Sequence, residues 1–397
     1  MTDSRKAGRR QQVLLVLGSA VFLSLAASIA DTSFNNFVND TFHISAGARG
    51  HLEFPRELPG FLTALLSGAL FFMVETRTAA LAALGVAAGL FGLAARGDHY
   101  LSMVAFMVLW SAGTHLMMPL QGSIILGLAE EGKQATLLGR LGSAGTAATI
   151  IGCGFLWFSI QRLHLDYSVL FAISGVAAVG AALFLLAMRS PTASARRKPF
   201  LVRRRYTLFY ILSILFGARK QIFITFGPWV LIKVFHQPAS TFAQLLILSS
   251  ILGVFLKPVL GQWIDRYGER PILIADAVLL TGVCLGYGFA EQLGLGRHAI
   301  TLIYVCYMLD QVLFATGMAR TTYLDKIAVE KSDLAPTLSL GVSLDHLVSM
   351  TVPTLGGLLW DRSGYAYVFL AAAVLAVLNG VAASCIRTPK GVSAPGQ

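Results

Sequence analysis

The chain has 397 residues, of which 55% are hydrophobic and 13% charged, with a mean hydropathy of +0.69 and a net charge of +11. Soluble globular chains carry about 25% charged residues, so a water-solvated multidomain protein is excluded. The positive charge does not indicate a nucleic-acid partner, because Arg196, Arg197, Lys198, Arg203, Arg204 and Arg205 lie between long apolar runs, where such clusters orient helices and meet anionic lipid headgroups.

A bilayer core of about 30 Å takes roughly 20 apolar residues as helix. That ruler predicts twelve spans, at 13–38, 57–75, 78–95, 100–128, 137–160, 166–188, 206–235, 240–260, 271–290, 298–320, 336–358 and 366–386. The apolar run Val13 to Ala30 exceeds the roughly 7–15 residues of a cleaved signal, so the first span is expected to remain. The fold class is all-α integral membrane. Its expected domains are a six-helix bundle over 1–188, a basic cytoplasmic linker over 189–205, a second six-helix bundle over 206–386 and a tail over 387–397.

Orientation follows from Lys and Arg in the short loops. With a cytoplasmic N-terminus, Arg5, Lys6, Arg9, Arg10, Arg77, Lys133, Arg140, the linker cluster, Arg266, Arg270, Arg320, Lys326, Lys331, Arg387 and Lys390 lie inside. The outer loops hold mainly Arg49, Arg96, Arg162, Arg297 and Arg362. This predicts a multi-pass protein of the plasma (inner) membrane with both termini cytoplasmic. Cys153, Cys284, Cys306 and Cys385 fall in apolar segments without metal-ligand spacing, so neither a metal nor a cofactor is expected.

Between spans eight and nine the chain reads Gly261-Gln-Trp-Ile-Asp265-Arg266-Tyr-Gly268-Glu-Arg270. Gly261 permits close helix contact, Gly268 permits a tight turn, and Asp265 can complement a helix N-terminus or pair with arginine. The segment resembles the G-x-x-x-D-R-x-G-x-R signature of the major facilitator superfamily, in the cytoplasmic loop where that family carries its second copy. Residues 130–145, Pro353-Thr-Leu-Gly356-Gly357, and Trp360-Asp361-Arg-Ser-Gly364-Tyr365 are also similar to that family. The first-half copy is degenerate, with only Glu75 and Arg77 left near its place. The resemblance implies two six-helix pseudo-repeats related by an axis along the membrane normal. It also implies a gating role for Gly261, Asp265, Arg266, Gly268 and Arg270.

Ionisable residues at membrane depth are costly and mark pathways or coupling sites. Arg219 and Lys220 stand some 14 residues into span seven, about 20 Å deep at 1.5 Å per residue. Either they form structural ion pairs or they present positive charge to an anionic substrate. Asp31 begins the polar face Asp31, Asn35, Asn36 and Asp40, and is either a helix-exit residue or a cavity-facing proton site. Asp310 with Gln311 is central in span ten, Asp345 with His346 lies in span eleven, and Asp276 lies nearer the inner end of span nine. His115, in the middle of span four, is a packing residue or a ligand contact.

In His51-Leu-Glu53-Phe-Pro55-Arg56-Glu57-Leu-Pro59 two prolines break regular hydrogen bonding, and Glu53 and Glu57 flank Arg56. This is a rim salt bridge, or Glu57 is the coupling carboxylate. Lys233 and Lys257 are expected to snorkel from span ends. The substrate set is thus Arg219, Lys220, Asn35, His115 and Gln311, and the proton-coupling set Asp31, Glu57, Asp310 and Asp345.

The expected function is secondary active transport of a small organic, possibly anionic, molecule by alternating access, coupled to protons or another ion, by a monomer in contact with membrane lipids. A proton-driven multidrug exporter is the rival, with Asp31, Phe34, Phe37 and Trp229 holding cationic drugs. A non-transporting membrane sensor would be expected to carry a long soluble extension beyond Ile386. An enzyme is not expected, because no HExxH, GxSxG or Walker P-loop is present.

Overall fold

A computed structural model describes residues 3–62, 74–128, 134–189, 202–330 and 333–387. Among these every regular element is helical: α1 (Asp3–Phe42), α2 (Ala46–Phe61), α3 (Glu75–Arg96), α4 (Tyr100–Gly127), α5 (Gln134–Phe158), α6 (Tyr167–Leu186), α7 (Thr207–Lys233), α8 (Ala239–Tyr267), α9 (Glu269–Phe289), α10 (Ala299–Leu313), α11 (Gly317–Ile327), α12 (Leu334–Ser363) and α13 (Tyr365–Ser384). Ten helical segments are long and apolar enough to cross a membrane. The two remaining predicted spans are the second, of which 63–73 lie outside the described residues, and the eleventh, which lies in α12. Linker residues 190–201 and tail residues 388–397 also lie outside them.

The chain divides into two compact units. The first comprises residues 1–44, 55–195 and 236–250; the second comprises 45–54, 196–235 and 251–397. In the first, α1 packs on α5 and α6, and α3 packs on α4 and α6. Small residues allow these close approaches, as Ala79, Ala83, Ala181 and Ala182 join Val16, Met117 and Ile125 in one core. In the second, α7 packs on α12 and α13, and α9 packs on α10 and α13. Tyr206, Phe209, Leu212, Leu273, Tyr323 and Leu324 form the core at one end of it. The exposed faces are apolar too, with Val176, Leu183, Phe255, Val374 and Val381 all more than half exposed. An apolar exterior around an apolar core is what a lipid solvent requires.

Three features depart from the sequence reading. Residues 46–61 form one helix despite Pro55 and Pro59, which sacrifice backbone bonds to the His51 and Pro55 carbonyls without ending it. Predicted span ten is interrupted: α10 ends at Leu313, a 3-10 turn covers Phe314–Thr316, and α11 continues from Gly317. Such turns within a helix mark hinges or strain. Among the described residues Gly261 makes no close helix contact, because a Cβ there meets no described atom within 4 Å.

Gly268 does make the turn between α8 and α9, at φ 85° and ψ 171°, and Gly364 makes the same turn between α12 and α13, at φ 95° and ψ 162°. Both close the spacing Gly-x-x-x-Asp-Arg-x-Gly, at 261–268 and 357–364. This backbone region is essentially reserved for glycine, so Gly364→Ala is expected to cost about 1–3 kcal/mol. The midpoint of thermal unfolding in detergent checks this, and an unchanged midpoint contradicts it.

Candidate functional site

The second unit concentrates charge where α7, α9, α10, α11 and α12 meet. Arg219 projects from the middle of α7 and is 2% exposed. Its Nη1 lies 3.5 Å from Oδ1 of Asp310 on α10, and its Nη2 lies 3.9 Å from Oδ1 of Asp276 on α9. The guanidinium carbon stands 5.2 Å from the centroid of the Phe314 ring and 5.6 Å from that of Phe216. Phe314 opens the 3-10 turn of span ten, so the helix interruption supplies one wall of the cation's cage. All three guanidinium nitrogens and one oxygen on each carboxylate are buried without a hydrogen bond among the described residues. The guanidinium is thus held by charge and ring faces rather than by formed hydrogen bonds, while Asp276 also has a hydrogen bond with Thr316.

Lys220, one residue on, points elsewhere, as a 100° turn per residue demands. Its Nζ meets Oδ2 of Asp345 on α12 at 2.5 Å, in a pair about one-fifth exposed. Gly217 makes that approach possible, because a Cβ there would overlap the Asp345 carboxylate. Both sequence-predicted cations are therefore matched by acids, and neither presents unbalanced positive charge. Gln311 is half-buried on α10, beside Asp310 in sequence.

The second unit also contains a buried network that the sequence reading missed. Glu53 on α2 is 0% exposed, and its Oε1 accepts from Arg49 at 2.6 Å. Its Oε2 accepts from Gln221 of α7 at 2.8 Å. Loop charge counting places Arg49 in an outer loop, and local spacing pairs Glu53 with Arg56; the fold pairs Arg49 with Glu53 instead. The available signal was the i,i+4 spacing of Arg49 and Glu53, which only matters once 46–54 is helical. At the start of the same helix, Asp361 accepts from Gly47 N–H at 2.9 Å and from the Ser45 hydroxyl at 2.7 Å, a carboxylate where the helix dipole favours one.

Of the other predicted substrate and coupling residues, Asp31, Asn35, Glu57 and His115 belong to the first unit. Glu57 is 7% exposed, with Arg56 at 3.4 Å and Nε2 of His115 at 3.7 Å. Nδ1 of His115 lies 2.9 Å from the Ser111 carbonyl and 3.0 Å from its hydroxyl, and that hydroxyl donates to the Arg56 carbonyl. Glu57 and His115 thus stand together, as two of the predicted residues. Asp31 is exposed and Asn35 half-buried, both on α1. Where the first-half signature is degenerate, Glu75 accepts from Ser123 at 2.9 Å and Arg77 donates to the Leu186 carbonyl at 3.0 Å. In the intact copy Asp265, Arg266 and Arg270 are exposed, and the guanidinium of Arg266 lies 5.4 Å from the Tyr267 ring centroid.

The aromatic residues considered for drug binding are core residues instead. Phe34, Phe37 and Trp229 are 3%, 6% and 0% exposed. Phe37 packs edge-on against Phe171 at 5.0 Å and Phe34 against Trp110 at 5.6 Å. Lys233 does not simply snorkel; its ammonium lies 5.4 Å from the Trp229 ring centroid.

The family model described as Major Facilitator Superfamily matches residues 16–329 and 209–396. The tetracycline resistance protein, class C, of Escherichia coli is 30% identical over 154 residues, which cover 38% of this chain and 37% of that protein. A probable vesicular acetylcholine transporter-A of Danio rerio is 24% identical over 143 residues, 35% of this chain and 26% of that protein. The chain thus matches only about a quarter to about two-fifths of these relatives' own length. Among solved structures, a variant of the nucleoside transporter NupG superposes with a TM-score of 0.78 at 15% identity, covering 94% of this chain and 99% of that one.

Proposed function

We propose that this chain, which belongs to the major facilitator superfamily, is a secondary active transporter that moves a small organic substrate by alternating access and couples it to protons. Family membership makes it a multi-pass membrane transporter and not an enzyme. The two-bundle division over 1–188 and 206–386, which rests on six apolar spans on each side of the basic linker, and the cytoplasmic termini, which rest on the Lys/Arg bias of the loops, are part of the same reading.

One observation carries the coupling: Arg219 is held between Asp310 and Asp276, across three helices, beside the interruption of span ten. Buried acids inside a bundle form proton relays, and broken helices line transport sites. Asp310 and Asp276 exchange the proton, and Arg219 is the fixed charge against which they do so. A change of protonation alters the electrostatic balance between α7, α9 and α10. Whichever state binds the changed charge better then gains population. Lys220 with Asp345 is a second, more accessible pair, and Glu57 with His115 a further candidate in the first unit. The multidrug reading loses support from the burial of Phe34, Phe37 and Trp229 in the core.

Proteoliposomes loaded with a pH-sensitive dye test this, offered tetracycline, acetylcholine, nucleosides and small monocarboxylates in turn. Wild type is expected to move protons with at least one of these, and Asp310→Asn to abolish that movement while still binding the compound. Proton movement by Asp310→Asn at the wild-type rate removes Asp310 from coupling.

A further inference from the structure

Where α7, α9, α10, α11 and α12 meet, Arg219, Lys220 and Arg320 stand against Asp276, Asp310 and Asp345. Arg219 is matched by Asp276 and Asp310, and Lys220 by Asp345. Arg320, on α11, is not. Among the described residues no carboxylate lies within 4.0 Å of its guanidinium. Asp345 and Asp276 act on it only at longer range. Its Nη1 reaches the Leu212 carbonyl at a long 3.4 Å, and its Nε is buried without an acceptor. The guanidinium carbon lies over the Phe216 ring, 3.4 Å from the centroid. A guanidinium packed among helices without a matching carboxylate is expensive, and an anion offsets that cost.

Space for that anion exists. A cavity of about 140 Å³ adjoins the guanidinium, with Phe209, Ser213, Phe216, Thr321, Leu338 and Asp345 among its lining residues. The Thr321 side chain is exposed, so its hydroxyl is an available donor, whereas the Ser213 hydroxyl already donates to the Phe209 carbonyl. The acid on the cavity wall, Asp345, carries the Lys220 ammonium at 2.5 Å, which offsets its repulsion of an incoming anion. Gly317 leaves the guanidinium its room, since a Cβ there would stand 3.2 Å from Nη2. Sites for whole drug-sized ligands measure about 300–1,000 Å³, so this cavity takes one small group.

We propose that Arg320 is the anion-recognition residue for the transported substrate: a small carboxylate docks on its guanidinium in this cavity, with the Thr321 hydroxyl as second donor. The inference rests on the transporter reading above, and assigns the anion to Arg320 rather than to Arg219 or Lys220. Its planar fork suits a carboxylate, which a lysine would hold only as a point charge.

The test is binding, independent of transport. Purified protein in detergent is titrated with acetate, lactate and benzoate, with benzamide as the neutral match for benzoate, followed by calorimetry and thermal shift. Wild type is expected to bind at least one carboxylate and not benzamide. Arg320→Gln is expected to weaken that binding about tenfold or more, and Thr321→Val about threefold. Arg320→Lys is expected to fall between wild type and Arg320→Gln. Thr321→Val keeps the inference testable if Arg320→Gln does not fold, because an exposed hydroxyl is not needed for packing. Equal binding by wild type and the variants overturns the assignment, as does binding of benzamide as tight as benzoate. No carboxylate binding by wild type, with proton-coupled movement of another compound intact, overturns the anion site and leaves the transporter reading standing. Carboxylate binding lost in Arg320→Gln, without any transport, supports the site and counts against that reading instead.

Discussion

Replacing Arg219 by methionine is expected to abolish transport and to lower stability by about 3–5 kcal/mol, the cost of removing one partner from a buried ionic set. The side chain is 3% exposed and stands between two ring faces, so water cannot take its place. Asp276 and Asp310 are left facing one another's charge without the cation between them. Two effects are mixed in that variant, and further substitutions separate them. Arg219→Met combined with Asp276→Asn and Asp310→Asn removes all three charges. Replacing an entire buried ionic set with neutral groups of similar volume is often close to neutral for stability. The triple variant is therefore expected to unfold near the wild-type temperature and still to carry nothing. Wild-type rates of cargo exchange by Arg219→Met would falsify its part in the mechanism.

Glu53→Ala is expected to be comparably severe, at about 3–5 kcal/mol, because it takes the 2.6 Å carboxylate from Arg49 in a place where both are almost wholly buried. It also removes the shorter of two hydrogen bonds of the Gln221 amide, which donates to the same carboxylate at 2.8 Å and keeps only a long 3.5 Å contact with the Thr225 hydroxyl. The effect extends beyond stability. Glu53 ties the first half of α2 to α7, while the second half of α2, from Pro55, belongs to the other unit. Loss of the tie loosens residues 45–54 from α7, while the Asp361 contacts at Gly47 and Ser45 and the close packing of Gly50 and Gly357 still hold them to α12. Limited proteolysis or hydrogen exchange over 45–54 should rise sharply in Glu53→Ala. Exchange and melting temperature both unchanged would mean that the network contributes nothing.

Much of this was legible in the sequence. Apolar run length gave the helices, because a bilayer fixes the length a span must have. The Gly-x-x-x-Asp-Arg-x-Gly segment identified the family, and the charges at depth marked α7, α9, α10 and α12. What composition could not supply was pairing. Whether Arg219 is free or matched depends on which helices adjoin α7, and Asp276 and Asp310 lie 57 and 91 residues away along the chain. The surroundings of Arg320 are hidden for a related reason. A basic residue at a span end satisfies the inside rule, and only the position of Phe216 shows that its guanidinium turns back among the helices. The continuity of α2 through two prolines, and the interruption of span ten without a proline, both run against local propensity. Tertiary surroundings decided them.

The six charges clustered around α7, from Arg219, Lys220, Arg320, Asp276, Asp310 and Asp345, bear on the electrical behaviour of the protein. With all six ionised, three positive and three negative, the set sums to zero, and the membrane voltage exerts no net pull on it as it changes exposure between the two faces. Voltage then acts only on what is loaded, at about 2.3 kcal/mol per elementary charge per 100 mV. A proton taken up with a neutral cargo moves one charge and feels the field. A proton taken up with a single carboxylate moves none, and such a cycle runs on the pH difference alone.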